Sequence, residues 1–277
     1  MMRVLLFCVL ISLSSIPATA QRMRNYSEIG PSVGMSYYMG DLNPGTPFFM
    51  SKLAGGLSFR YNYHPRWAWR LQANYLRIAA SDAESENPFQ KARNLSFQSN
   101  VFEFAPTIEF NFFPYEIGNS YYPATPYVFF GMALYRFNPK AEYKGELRAL
   151  RDLSTEGQGV PGIGRAEYNL LGLTFPFGFG FKAHLAKWLG ISLEWGLRKT
   201  FTDYLDDVST SYVDPFLLFK TYGVESVQMA DRSGTPPVNA NISRQRGNPN
   251  NKDWYGYANL TICIKLNKAE DICQAYK

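Results

Sequence analysis

The sequence is poor in charged residues and in helix-forming composition. Charged residues make up 18% of its 277 positions, below the roughly 25% of ordinary soluble domains. Aromatic residues reach 16%, and 22 glycines and 17 prolines leave little room for helix formers. This composition argues against intrinsic disorder, a coiled coil and a helical bundle. The net charge is only +5, and no run of lysine and arginine suggests a nucleic-acid partner.

The first twenty residues are predicted to be a secretory signal peptide. Arg3 is followed by a short apolar core at 4–13 and by the small-residue sequence Ala18-Thr19-Ala20 before Gln21. The mature chain would be 21–277, in an oxidising compartment. We predict a barrel over 21–267 and a periplasmic tail over 268–277.

Long apolar runs are absent after Gln21; Phe216-Leu217-Leu218-Phe219 is among the longest. A transmembrane helix needs about 20 apolar residues. If the mature chain enters a membrane, it must therefore do so as a closed barrel.

Alternation of apolar and polar residues with a period of two predicts eight strands. In the segment near 97–113, for example, Phe102 and Phe104 alternate with Glu103 and Ala105. The eight segments are 28–40, 53–64, 67–75, 97–113, 126–138, 171–182, 191–198 and 257–266. The segment 126–138 is apolar on both faces, so the pattern does not fix which of its residues point inward.

The strand lengths and connections favour a membrane barrel over a soluble one. The segments are longer than the usual ~5–6 residues of a strand and match the ~9–11 residues that a tilted bilayer crossing needs. Short and long connections broadly alternate, as expected for periplasmic turns and extracellular loops, which would place both termini in the periplasm. Aromatic residues near strand ends suggest interfacial girdles: Tyr37, Trp67, Trp69, Tyr75, Phe112, Tyr127, Trp188, Phe201 and Trp254. The sequence therefore predicts an all-β, eight-stranded antiparallel barrel in a Gram-negative outer membrane, in contact with its lipid.

Charged residues fall on the face that would point into this barrel. An eight-stranded barrel is just wide enough for side chains to fill its interior. The acids and bases can then pair into a nearly neutral network that plugs the lumen. Its members are Glu28, Arg60, Arg70, Glu103, Glu109, Lys182, Glu194, Arg198 and Lys265.

Two patterns that could indicate chemistry are better explained structurally. The run 157–162 matches G-x-G-x-x-G without the strand and helix that a dinucleotide site requires. Asp203, Asp206 and Asp207 lack calcium-loop spacing, and turn pairing with Arg198 and Lys199 is preferred.

The two histidines, His64 and His184, fall beside the short turns, away from external substrates. No nucleophile, base and orienting group converge. We expect no enzyme activity, no cofactor and no metal.

Several segments resemble one family of membrane proteins. The block Thr202-Asp203-Tyr204-Leu205-Asp206-Asp207, continued by Val208-Ser209, is the most specific. Shorter segments match in order along the chain, among them Gly40-Asp41-Leu42, Thr155-Glu156-Gly157 and Arg246-Gly247-Asn248. Together they resemble the PorG-like outer-membrane proteins of the type IX secretion system of Bacteroidota.

The resemblance implies a non-enzymatic component of a protein-secretion apparatus. It would associate with the periplasmic ring built by PorK and PorN, in a system that also serves gliding motility in some relatives. The alternative is a generic small surface barrel, an adhesin or narrow channel whose external loops bind ligands. The first hypothesis, in which the barrel anchors the periplasmic ring to the membrane, requires contacts on the periplasmic side. The alternative requires exposed external loops.

Two cysteines remain in the mature chain, Cys263 near the end of the last strand and Cys273 in the tail. They could form an internal disulfide if the tail folds back, because the bond needs Cα atoms about 4.4–6.8 Å apart. Cys273 could instead form a disulfide with a periplasmic partner, or both thiols could stay free.

Overall fold

A computed structural model describes residues 25–234 and 239–266. The predicted signal peptide at 1–20 and tail at 268–277 lie outside these residues. Eight segments or segment pairs build the barrel wall: β1 Tyr26–Met39, β2 Lys52–His64, β3 Trp67–Ser81, β4 Ser96–Asn111, β5 Ala124–Gly131 with β6 Ala133–Arg136, β9 Leu171–His184, β10 Leu189–Thr200 and β11 Trp254–Lys265.

The strands close into a ring of antiparallel pairs. Each of β1 to β4 pairs with the next, β4 pairs with β5 and β6, and these pair with β9. The ring continues through β10 and β11 back to β1. Met132 separates β5 from β6, which together form one wall strand. The eight-stranded antiparallel barrel predicted from the sequence is confirmed.

The connections differ greatly between the two ends of the barrel. At one end, here called the turn end, the connections are 65–66, 112–123 and 185–188. The other, here called the loop end, carries 40–51, 82–95, 137–170 and 201–253. These long loops contain a hairpin of β7 Pro139–Tyr143 and β8 Glu146–Ala149, and helices α1 Pro88–Arg93, α2 Leu150–Leu153 and α3 Pro215–Ala230.

Helix α3 starts at the N-cap Asp214, whose side chain accepts a bond from the Phe216 amide, and it kinks at Gly223, where φ is +82°. Among the described residues, no helix combines the length and apolarity needed to cross a membrane.

Apolar side chains cover the outside of the wall, and polar ones fill the inside. The outward residues with large exposed fractions include Val33, Leu57, Leu71, Phe102, Phe104, Phe130, Leu134, Leu171, Phe179, Phe181, Leu193 and Ile262. An apolar belt of this extent on every wall strand needs lipid to cover it. The ambiguous segment is resolved by Tyr127, Phe129 and Tyr135, which point inward and are buried.

Two of the predicted girdle residues do not face lipid. Tyr127 is fully buried in the lumen, where glycines on neighbouring strands make room for its ring: a Cβ added at Gly180 would lie 2.6 Å from it. The assignment was wrong because Tyr127 lies in the segment that is apolar on both faces. Tyr37 points outward, but Phe48 covers it at 4.6 Å between ring centroids.

The connection 112–123 folds underneath the barrel and closes the turn end. Tyr115 and Ile117 are buried against Tyr26 and Cys263. The Ile117 amide donates to the Tyr26 hydroxyl at 3.3 Å. Gly118 has a φ of +88°, and a Cβ there would lie 2.5 Å from the Lys187 carbonyl oxygen. The close approach of the two turns therefore requires glycine.

Candidate functional site

The lumen holds four buried acids and four buried bases among the described residues. The acids are Glu28, Glu103, Glu109 and Glu194, and the bases are Arg60, Arg70, Lys182 and Arg198. We call these eight residues the lumen network. Its formal charges cancel, since four negative and four positive groups sum to zero. Buried charges of this density require direct pairing, because each unpaired ion would cost several kcal/mol.

Glu109 of β4 is the centre of the lumen network. Its carboxylate lies 2.9 Å from a nitrogen of each of three bases, Arg60, Arg70 and Lys182. Arg60 also contacts Glu28 at 2.5 Å. The three bases come from β2, β3 and β9, so Glu109 joins its own strand to the neighbouring strand β3 and to a strand two positions away on either side.

The other two acids extend the network toward the loop end. Glu194 pairs with Arg70 and accepts a bond from the Tyr127 hydroxyl at 2.9 Å. Glu103 accepts from the Tyr255 hydroxyl at 2.7 Å and from Arg198 Nε at 3.3 Å. The inward charges, their pairs and the buried rings of Tyr127, Tyr255 and Tyr257 together occupy the lumen.

Lys265 does not contact the lumen network. Its ammonium group lies 3.2 Å from Glu116 and donates to the Ile117 carbonyl oxygen at 3.0 Å. Both acceptors belong to the connection under the barrel. The sequence pattern placed Lys265 on the inward face correctly, but a turn has no periodicity that could reveal Glu116 as its partner.

The loop end is closed by a second buried polar cluster, here called the cap. Its centre is Glu156, which accepts the backbone amides of Ser209 and Thr210 at 2.9 and 3.0 Å. Arg246 donates to Glu156 at 3.0 Å and to the Asp207 carbonyl oxygen at 2.6 Å. Three segments far apart in sequence are thereby held together over the lumen.

A tyrosine at the rim joins the cap to the barrel wall. The Tyr38 hydroxyl oxygen lies 2.6 Å from Asp206 Oδ2 and 2.7 Å from Asp253 Oδ1, and all three groups are buried. A hydroxyl has one proton to donate, so it satisfies one carboxylate at a time. The other carboxyl must carry a proton itself. Burial accordingly raises the pKa of Asp206 and of Asp253 well above its ordinary value.

Two further cap acids have raised pKa values. Burial raises the pKa of Asp207 to about 6, although the neighbouring Arg246 opposes this shift. Burial also raises the pKa of Asp203 to about 7. The Asp207 carboxylate is held by the hydroxyls of Thr155 and Tyr168, the latter at 2.7 Å. Asp207 is therefore stabilised by two hydroxyl donors as well as by the nearby Arg246.

The block Thr202–Asp207 is mostly buried within the cap. Leu205 is buried in the cap core, Tyr204 stacks on Tyr168 at 4.8 Å, and the Tyr204 amide donates to Thr202 Oγ1 at 3.1 Å. The predicted pairing of its aspartates with Arg198 and Lys199 is wrong. Arg198 points into the lumen, and Lys199 lies outside over the Trp254 ring at 4.2 Å. Successive residues of a strand point to opposite faces, away from the cap.

The residues considered for catalysis have structural roles in the described chain. The amide of Arg66 donates to His64 Nδ1, and that of Gly118 donates to His184 Nδ1, each at 3.1 Å. The glycine-rich run 157–162 lies in the cap, without an adjoining strand. No group of three or more metal-ligating side chains among the described residues has the arrangement of a metal site.

Cys263 is buried in the lumen beside Arg60, whose guanidinium lies 3.5 Å from its sulfur. Tyr115 and Ile117 cover it from the turn end. Cys273 lies outside the described residues, so the pairing of the two cysteines stays a prediction.

Pattern reasoning missed the partners that organise the cap, notably Tyr38, Glu156 and Arg246. Glu156 and Arg246 are 90 positions apart, and loop residues show no periodicity that predicts such a contact. A signal was nevertheless present, because both residues lie in segments that carry the family resemblance.

The closed wall, the apolar belt and the polar lumen define a transmembrane β-barrel of the outer-membrane type. The family described as "Domain of unknown function (DUF6089)" matches residues 3–226, so the chain belongs to this family. No curated protein matches it.

Solved structures that are similar include three outer-membrane proteins. The attachment invasion locus protein Ail of Yersinia pestis, in complex with a heparin analogue, is 10% identical with a TM-score of 0.42, covering 88% of this chain and 100% of Ail. Neisserial surface protein A is 7% identical with a TM-score of 0.43 and the same coverage. A major outer membrane protein of Thermus thermophilus is 14% identical with a TM-score of 0.40, covering 87% of this chain and 99% of that protein.

Proposed function

We propose that this protein is a non-enzymatic outer-membrane component of the type IX secretion system that associates with the periplasmic PorK and PorN ring. The family-like segments support this assignment, because they occur in family order along the chain and the most specific one is Thr202–Asp207. The closed lumen is the structural observation that supports a role in anchoring and not in transport through the barrel. A barrel that is filled by ion pairs and closed at both ends acts through its surfaces.

The proposed orientation places the loop end at the cell surface and the turn end in the periplasm. Long loops outside and short turns inside are usual for such barrels. The described ends of β1 and β11 lie together at the turn end, since Glu28 and Lys265 are partners in the sheet. Contact with a periplasmic ring would then involve the turn-end surface, where Tyr121 is 83% exposed.

Site-specific photo-crosslinking in native membranes tests whether the turn end contacts the PorK and PorN ring. A photoreactive residue replaces Tyr121 at the turn end or, as a matched control, Phe216 at the loop end; both are exposed aromatic residues. We expect PorK or PorN adducts from position 121 and none from position 216. Absence of ring adducts from 121, together with failure of PorK and PorN to copurify after general crosslinking, would refute the anchor.

A second candidate is a surface barrel whose loops bind a ligand. One observation favours it: a cavity of about 550 Å³ beside α3, lined mainly by apolar side chains including Phe216, Leu218 and Ile242. Its size is within the range of small-molecule sites. Adducts with external material from position 216 alone would support this candidate. Stable large conductance in planar bilayers would contradict the filled lumen from which the first candidate is argued.

A further inference from the structure

Three basic side chains point outward at the loop-end edge of one wall face. Arg77 of β3 pairs in the sheet with Asn100 of β4. On the other side of β4, Arg136 of β6 is opposite Phe102, and Lys140 of β7 is opposite Gln98. Between them lies a recess of about 500 Å³, lined by all three bases. Three strands, β3, β6 and β7, thus direct positive charge to one place on the outer surface.

The charge of this recess is not neutralised by the described chain. No acidic side chain lines the recess, and no described carboxylate forms an ion pair with Arg77, Arg136 or Lys140. Arg77 is held in place from below, since its Nε donates to the Tyr75 hydroxyl at 3.3 Å. Its guanidinium is thereby positioned without losing its charge, which leaves three positive groups available to an anion.

An apolar groove continues from the recess along the lipid-facing wall. The groove has a volume of about 700 Å³ and shares Phe102 and Arg136 with the recess. Leu57, Phe104, Leu134 and Leu171 line it, and each is about half exposed. Gly55 faces outward in the groove, where the lack of a side chain deepens it. The groove provides an apolar surface that extended hydrocarbon chains can cover.

The depth of the two features matches the layers of a bilayer leaflet. Arg77 lies ten residues beyond Trp67 on β3. A rise of about 3.3 Å per residue and a tilt of about 40° give a height of about 25 Å. An apolar band on such barrels is about 25 Å tall, so Arg77 lies at headgroup level when Trp67 lies at the opposite interface. The groove below Arg77 then lies at the level of the acyl chains.

We propose that this face binds one phosphorylated lipid, with its phosphate in the recess of Arg77, Arg136 and Lys140 and its acyl chains in the groove. Arginine guanidinium groups bind phosphate through paired charge-assisted hydrogen bonds. The binding site itself depends only on the barrel wall and on the apolar belt on its outer surface. Assignment of the lipid to the outer leaflet rests on the orientation given under the proposed function.

Lipid titration followed by native mass spectrometry tests the proposal. The full chain, folded in a neutral detergent, is titrated with dipalmitoyl phosphatidic acid and, separately, with dipalmitoyl phosphatidylcholine. We expect one phosphatidic acid to bind with at least about tenfold preference, corresponding to the strength of a charge-assisted hydrogen bond. The paired variant Arg77→Gln/Arg136→Gln should lose that preference.

A matched control removes the same charge elsewhere at the same end. Lys52→Gln/Lys199→Gln neutralises two exposed lysines of β2 and β10 that do not line the recess. This control should retain the preference within about twofold. Equal loss in both double variants would mean unspecific surface charge, and competition by millimolar inorganic phosphate alone would mean a simple anion site. Either result overturns the proposal, and neither depends on the orientation or the ring association.

Discussion

The lumen network and the cap solve the burial of charge in different ways. The lumen network has four acids and four bases, so each carboxylate faces a cation. The cap includes the ion pair of Asp82 and Arg93 at 2.7 Å, because Arg93 also donates to the Arg246 carbonyl oxygen at 2.6 Å. The cap thus has six buried acids, Asp82, Glu156, Asp203, Asp206, Asp207 and Asp253, but only two buried bases among the described residues, Arg93 and Arg246. The cap therefore depends on amide and hydroxyl donors and on bound protons. We expect the lumen to be sensitive to loss of a charge and the cap to be sensitive to pH.

Removal of the central carboxylate should have the largest effect. Glu109→Gln keeps the shape of the side chain but leaves Arg60, Arg70 and Lys182 without their shared anion. We expect a loss of about 3–5 kcal/mol in the free energy of unfolding. Urea unfolding in lipid vesicles, followed by tryptophan fluorescence, measures this change.

Two companion variants make the result specific. Glu225→Gln removes a partly exposed partner of Arg148 and should cost less than about 1 kcal/mol. Glu109→Gln/Lys182→Met removes an acid and a base together and should recover part of the loss, because fewer buried cations remain unpaired. A single variant as stable as the native chain would mean that the lumen charges are solvated by water.

The pH dependence of the cap should be the next largest effect. The raised pKa values of Asp203 and Asp207, about 7 and about 6, mean that the folded cap retains protons that an unfolded chain releases near 3.8. Stability from these groups is therefore greatest below about pH 4 and is lost as the pH rises toward 7. For Asp207 the difference is about 3 kcal/mol, since one pKa unit corresponds to about 1.4 kcal/mol.

Hydrogen exchange resolved by peptide measures this effect locally. After correction for intrinsic rates, amides of 202–212 should exchange faster at pH 7.5 than at pH 5, whereas wall amides near Glu109 should not change. Asp207→Asn removes one titrating group and should reduce the difference. Equal protection of 202–212 at both pH values would contradict the comparison.

The sequence predicts the lumen network better than the cap, because the strand pattern is local whereas the cap contacts join residues far apart in the chain. Alternation with a period of two placed Glu109, Arg60 and Lys182 on one inward face, because that pattern is local and geometric. It failed at Tyr127, where both faces are apolar. The alternation does not predict the hydrogen bonds of Tyr38 with Asp206 and Asp253, because these depend on the path by which a long, irregular loop returns to the rim of the barrel. The resemblance identified the segments of the cap but not their contacts.

The same tyrosine substitution in each region separates the two mechanisms. Tyr38→Phe removes the hydroxyl that lies between the Asp206 and Asp253 carboxyls of the cap, and Tyr255→Phe removes a donor to Glu103 in the lumen. Each should cost about 1–2 kcal/mol at pH 7. The cost of Tyr38→Phe should change with pH, because burial raises the pKa of Asp206 and of Asp253 well above its ordinary value, whereas the cost of Tyr255→Phe should not change. Equal pH dependence of both variants would show that the lumen also titrates.

The smallest expected effect concerns Lys265, which the sequence pattern assigned to the lumen. Lys265 and Glu116 form a partly exposed ion pair at the turn end, with side chains 14% and 17% exposed. Lys265→Gln should therefore cost less than about 1 kcal/mol, as expected for a solvent-accessible ion pair. Lys182→Gln removes a fully buried base 2.9 Å from Glu109 and should cost about 3 kcal/mol or more. The two variants are the same chemical change on inward-facing lysines, so the difference between them measures how far the lumen network extends. If both cost the same in urea unfolding, Lys265 belongs to the network as the alternation predicted, and the connection 112–123 does not separate it from the lumen.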